Sequence, residues 1–123
     1  MECEFMIPEK DDSHYLRKML ADVDYIIDKM QNVSLAQYSE YDLLIDAMNF
    51  RLIQINESAK KITAEFKAMH CKIPWSEISG LRNRIVHDYG NSDVGIIYCT
   101  LSEDIPKLKN LILEGLTEEF GHR

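Results

Sequence analysis

Between about Glu40 and about Thr63 the chain runs without a glycine or a proline, and its apolar residues recur at helical steps: Leu43, Leu44, Ala47, Met48, Leu52, Ile55, Ala59 and Ile62. Such a stretch buries its stripe most readily as one side of a long amphipathic helix. Ser39 is placed to cap it. Upstream, Asp12 or Ser13 can cap a helix whose stripe is Leu16, Met19, Leu20, Val23, Ile26, Ile27 and Met30, ending near Asn32. Residues 34–38 suit a short helical turn, and a further short piece follows the long helix through Phe66 and Met69. Pro74 is welcome in the first turn of a third main helix. That helix runs through Trp75, Ile78, Leu81, Ile85 and Val86 towards Tyr89, where Gly90 supplies a stop. Asp93 caps a fourth segment with Val94, Ile97, Tyr98 and Leu101. Ile105 and Pro106 restart a last helix carrying Leu108, Leu111, Ile112 and Leu116, and the tail after Thr117 is expected to fray. No segment alternates with period two, and 123 residues contain only five Gly and three Pro. These features predict an all-α, antiparallel four- to five-helix bundle. It forms a single domain over 1–123, with 1–11 and 118–123 as loose tails.

Bulk properties narrow the setting. Hydrophobic residues make up 46% of the chain, enough for a packed core. The acidic start, MECEFMIPEKDD, does not read as a signal peptide, and no apolar run approaches a membrane span, so a cytoplasmic protein is expected. Cys3, Cys71 and Cys99 include no C-x-x-C pair and read as free thiols; with no clustered His or Cys, neither a structural metal nor a cofactor is expected. A formal net charge of -7 argues against broad electrostatic binding of nucleic acid, so any RNA contact must be a local basic site on an acidic body.

The segment PWSEISGLRNRIVHDYG, residues 74–90, concentrates the chemistry. On a helical wheel Ile78, Leu81, Ile85 and Val86 share an apolar face, and Arg82 and Tyr89 fall within it. Asn83 and His87, four apart, stack on one flank, while Arg84 and Asp88 point towards water. An arginine in an apolar stripe is costly unless it is paired or placed at an interface, so this helix breaks a packing rule where polar groups gather. Arg82 offers a charged fork suited to phosphate, His87 exchanges protons near neutral pH, Asn83 can orient the imidazole, and Tyr89 carries a phenol able to contact a phosphate or a base. The set suits metal-free RNA cleavage by attack of a 2′-hydroxyl on the adjacent phosphate. Spacing alone leaves a second reading open: an Arg and a His held by neighbouring carboxylates, with Tyr89 capping a core.

The same segment resembles the HEPN superfamily, and most closely its HepT-like branch, whose signature is R-x4-H-x-Y. Here it reads Arg82-Asn83-Arg84-Ile85-Val86-His87-Asp88-Tyr89, and Ile73-Pro74-Trp75 with Gly80 extends the likeness upstream. Asp104-Ile105-Pro106 and Ile55-Asn56-Glu57-Ser58-Ala59-Lys60 resemble further family motifs; Asn56 stands where Gly is common and Tyr98 where Trp is frequent. The resemblance implies a bundle that forms a homodimer with the two motifs facing each other. It implies a metal-independent endoribonuclease with Arg82 and His87 catalytic, and Asn83 and Tyr89 supporting or contacting RNA. It also implies a type VII-like toxin–antitoxin system, in which an MNT-type nucleotidyltransferase silences the toxin by transferring AMP onto Tyr89. The alternative is a non-catalytic module that presents substrate or nucleotide to a nucleotidyltransferase. Glu57 is expected to support the motif by pairing with Arg82 across helices. His14 and His70 read as surface or packing residues, Met19, Met30 and Met48 as core packing, Trp75 as a core anchor, and Lys60-Lys61 as a solvated face.

Overall fold

The structure, a computed structural model, describes residues 11–88 and 94–121; the side chains of His87 and Asp88 lie outside it, as do Tyr89, Gly90 and Asp93. The described residues form α1 (Asp12–Lys29), α2 (Leu35–Ser39), α3 (Asp42–Lys60), α4 (Ala64–Met69), α5 (Trp75–Ser79), α6 (Leu81–Asp88), α7 (Val94–Cys99) and α8 (Ile105–Phe120). No strand occurs among them, in keeping with the expected all-α, HEPN-type bundle. Helix α1 packs along both α3 and α8, while α5 and α6 lie against α3.

The core follows the sequence stripes except at Leu43, expected on the stripe of α3 but 75% exposed. Leu16, Met19, Val23 and Ile26 of α1 are fully buried, as are Met48, Leu52 and Ile55 of α3 and Ile112 of α8. One charged pair sits among them. Asp22 is 5% exposed and accepts from the Arg51 guanidinium at 2.9 Å, and that guanidinium lies 3.8 Å over the ring of Tyr25. Burial of this carboxylate is sustained by the pairing and tethers α1 to α3.

Several caps differ from those expected. Asp11 caps α1 by accepting from His14 N–H at 3.1 Å. Asp12, freed from that task, reaches Thr63 with both oxygens, at 2.9 Å to the amide and 2.7 Å to the hydroxyl. Thr63 in turn caps α4. Ser34 caps α2 in a reciprocal box with Gln37, and Ser39 ends that helix instead of starting the next. The last helix does not restart at Ile105: α7 passes through a π-helical segment, Thr100–Asp104, directly into α8. Helix α8 holds to Phe120 rather than fraying after Thr117, because Gly121 adopts φ 73° and its N–H returns to the Thr117 carbonyl. His70 stacks on Phe66 with centroids 4.2 Å apart and faces Glu118 and Glu119 at 3.6 and 3.2 Å, a packing role that secures this end of α8.

Helix α2 anchors the far end. Tyr38 is fully buried, and its ring tilts against Tyr98, whose hydroxyl donates to the Val33 carbonyl at 2.6 Å. Burial, reinforced by the Asp46 carboxylate, pushes the Tyr38 phenol up from 10.0 to about 12. In the unfolded chain the phenol loses its proton near 10, whereas the folded state holds it to about 12. Its contribution is therefore complete below pH 10 and is lost as pH rises towards 12, a loss on the order of 2 kcal/mol. Urea melts across this alkaline window should show that decline, and Tyr38→Phe should flatten it relative to wild type.

Candidate functional site

Helix α6 carries Arg82, Asn83 and the backbone of His87 in little more than two turns. It is held by a narrow seam. Leu81 and Ile85 are each 5% exposed and point into the bundle. The seam is narrower than the helical wheel predicts: Arg82 is exposed rather than enclosed in an apolar stripe, and Val86, expected on the buried face, is 53% exposed. The physical reason is hydration. A guanidinium left at the surface keeps its water and needs no buried partner. Glu57, expected to pair with Arg82, instead meets Lys60 at 3.4 Å. Asn83 is exposed, one turn before His87. The stacking of Asn83 on His87, and the place of Tyr89, fall outside the described residues.

The expected single helix from Pro74 to Tyr89 is two helices. Gly80 ends α5, with its N–H on the Glu77 carbonyl at 3.2 Å, and helical bonding resumes with Arg84 N–H on the Gly80 carbonyl at 3.0 Å. Trp75 is half-buried at the start of α5, with Nε1 donating to the His70 carbonyl at 3.1 Å, the anchoring role expected of it.

Two concavities flank α6. On the side of Val86 lies a shallow one of about 440 Å³, lined by Asp46, Asn49, Phe50 and Ile53 of α3 with Ile85 and Val86. Its rim is apolar and uncovered: Phe50 is 57% exposed, and Leu43, further along the same outer stripe of α3, is 75% exposed. Asn49 keeps its side-chain oxygen buried there, without a hydrogen-bond partner among the described residues. Asp46, Asn49 and Ile53 stand at helical spacing on α3, a signal present in the sequence but masked by the stronger apolar stripe beside it. On the other side, Arg84 is half-buried rather than turned to water. It lines a cavity of about 310 Å³ with Lys72, Glu77, Thr100, Asp104 and Lys107 over an apolar floor.

The arrangement is a cation and an amide held outward on an anchored helix, one turn before the exposed Val86. It can hold a phosphate at Arg82 and Asn83. Comparison with known proteins identifies the family. The family model described as "Ribonuclease HepT-like" matches residues 19–114, and the chain belongs to that family. It is 30% identical over 105 residues to a "Putative RNase" of Caldanaerobacter subterraneus subsp. tengcongensis, covering 85% of this chain and 94% of that one. It is 42% identical over 55 residues to a "Probable ribonuclease HepT" of Thermococcus cleftensis, covering 45% of this chain and 50% of that protein. A "Putative RNase" of Methanocaldococcus jannaschii is 25% identical over 101 residues, 82% of this chain and 93% of the relative. No solved structure matches the chain.

The exposure of α6 sets a contrast in stability. Arg82→Ala should change unfolding free energy by less than about 0.5 kcal/mol, as expected of an exposed side chain. Ile85→Ala, one turn on, should cost about 3 kcal/mol through lost burial and the cavity left behind. Chemical denaturation of the two variants checks both values.

Proposed function

We propose that this HepT-like protein is a metal-independent endoribonuclease and the toxin of a type VII-like toxin–antitoxin pair. The observation that carries the reading is the outward display of Arg82 and Asn83 on a helix whose Leu81 and Ile85 are locked in the core. Structural arginines are held by partners; Arg82 has none among the described residues and stands exposed one turn before the exposed Val86, placed to meet something else.

In the proposed reaction His87 accepts the proton of a ribose 2′-hydroxyl, whose oxygen attacks the adjacent phosphorus. The bond to the 5′-oxygen of the next nucleotide breaks, that oxygen takes up a proton, and a 2′,3′-cyclic phosphate remains. Arg82 offsets the charge that develops on the phosphate, and Asn83 steadies the imidazole or a phosphate oxygen. Tyr89 contacts the RNA beside them. One protomer supplies a single histidine to this chemistry. The bare surface of Leu43, Phe50 and Val86 supports a homodimer that brings two α6 helices together and excludes water from the reacting groups.

The cognate antitoxin in this reading is an MNT-type nucleotidyltransferase that moves AMP from ATP onto the Tyr89 phenol and releases pyrophosphate. The added bulk and negative charge then occupy the place of an RNA phosphate.

Expression of wild-type protein in a bacterial host should arrest growth and degrade RNA, whereas His87→Ala and Arg82→Ala should lower cleavage by at least about a hundredfold. Harmless wild-type expression with intact RNA would sink the ribonuclease reading and favour a non-catalytic module. Incubation with the neighbouring nucleotidyltransferase and ATP should add one AMP mass to Tyr89 and none to Tyr89→Phe.

A further inference from the structure

The junction between α5 and α6 lies just ahead of Arg82, and one buried side chain from α3 is fixed on it. Asn56 is 1% exposed, and its Nδ2 donates to the Ile78 carbonyl at 2.8 Å. In an uninterrupted helix that carbonyl accepts from the amide four residues on, which here is Arg82. Instead, the chain tightens at Gly80 and regular bonding resumes one turn later, at Arg84. The side-chain donor thus takes the carbonyl where the helix path changes.

We infer that Asn56 is a positioning residue: by holding the Ile78 carbonyl it ends α5, fixes where α6 begins, and so sets the direction in which Arg82 and Asn83 are displayed. A packing role alone is better met by leucine, which has similar size and no polar atoms to bury. Asn56 keeps its Oδ1 buried without a partner among the described residues, a desolvation cost that an apolar side chain avoids. The bond its amide makes is what sets it apart from leucine. Because Asn56 shares α3 with Asn49 and Phe50, one rigid element lines the concavity beside α6 and sets the start of α6.

The catalytic part of this inference rests on the ribonuclease reading; the geometric part does not. Asn56→Leu tests both. With the donor gone, the Ile78 carbonyl is free to take the Arg82 amide. That amide should become at least about tenfold better protected from hydrogen exchange, and Cα shifts at Ser79–Leu81 should move towards helical values. In cleavage assays on folded protein, kcat should fall at least about tenfold while KM stays within about twofold, since displaced catalytic groups slow the reaction step. Unchanged shifts and exchange at residues 79–82 would overturn the inference, and so would a remodelled junction with wild-type kcat. Should Asn56→Leu fail to fold, Asn56→Ser, too short to reach the carbonyl, carries the same two readouts. If wild-type protein cleaves no RNA, the ribonuclease reading fails, and the exchange and shift data still decide whether Asn56 sets the junction.

Discussion

The bundle depends on α3 being buried on one side and bare on the other. Its inner residues, Met48, Leu52 and Ile55, fill the core against α1, and the same helix receives α5 and α6. Its outer stripe carries Leu43 and Phe50 into solvent. A soluble helix normally turns charge outward, so an apolar outer stripe on the most central helix is a local conflict between folding and surface chemistry. The conflict disappears if that stripe is covered by another protein surface. The seam at Leu81 and Ile85 and the concavity at Asn49 are both referred to this one element.

Short helices gain little from their own hydrogen bonds, so α5 and α6 take their orientation from what they pack against. Leu81 and Ile85 fix the rotation of α6 about its axis, which decides that Val86 faces one concavity and Arg84 the other, with Arg82 left in solvent. The two concavities differ in kind. The Val86 side is apolar and shallow, while the Arg84 side gathers Lys72 and Lys107 with Glu77 and Asp104. On a body with net charge -7, such local groupings matter more than the overall field.

The helical class was legible because apolar spacing is a local signal, and the stripes of α1, α3 and α8, Leu43 apart, reappear as the core. What escaped was set by contacts between residues far apart in sequence. The break at Gly80 coincides with a bond from Asn56 to the Ile78 carbonyl, 22 residues further along the chain. Asp12 looked like a cap for its own helix but serves Thr63, 51 residues on. The exposure of Arg82 was misread because a wheel treats every apolar residue as buried, and Val86 is not. The π-helical link into α8 has no spacing signature of its own, so Ile105 and Pro106 looked like a restart. Chemistry and family likeness single out the motif residues, whose roles belong to the proposed function; the α3 residues beside Ile85 and Val86, Asn49 above all, are not singled out by either.

In the proposed reading, α6 and the exposed stripe of α3 form a site completed by a second copy of the chain. Sedimentation velocity and RNA cleavage, measured together on the same dilution series, test it most directly. The expected result is a dimer whose cleavage per chain falls as dilution separates the subunits, with the two curves sharing a midpoint. A monomer that retains full cleavage per chain at concentrations where no dimer sediments would contradict it.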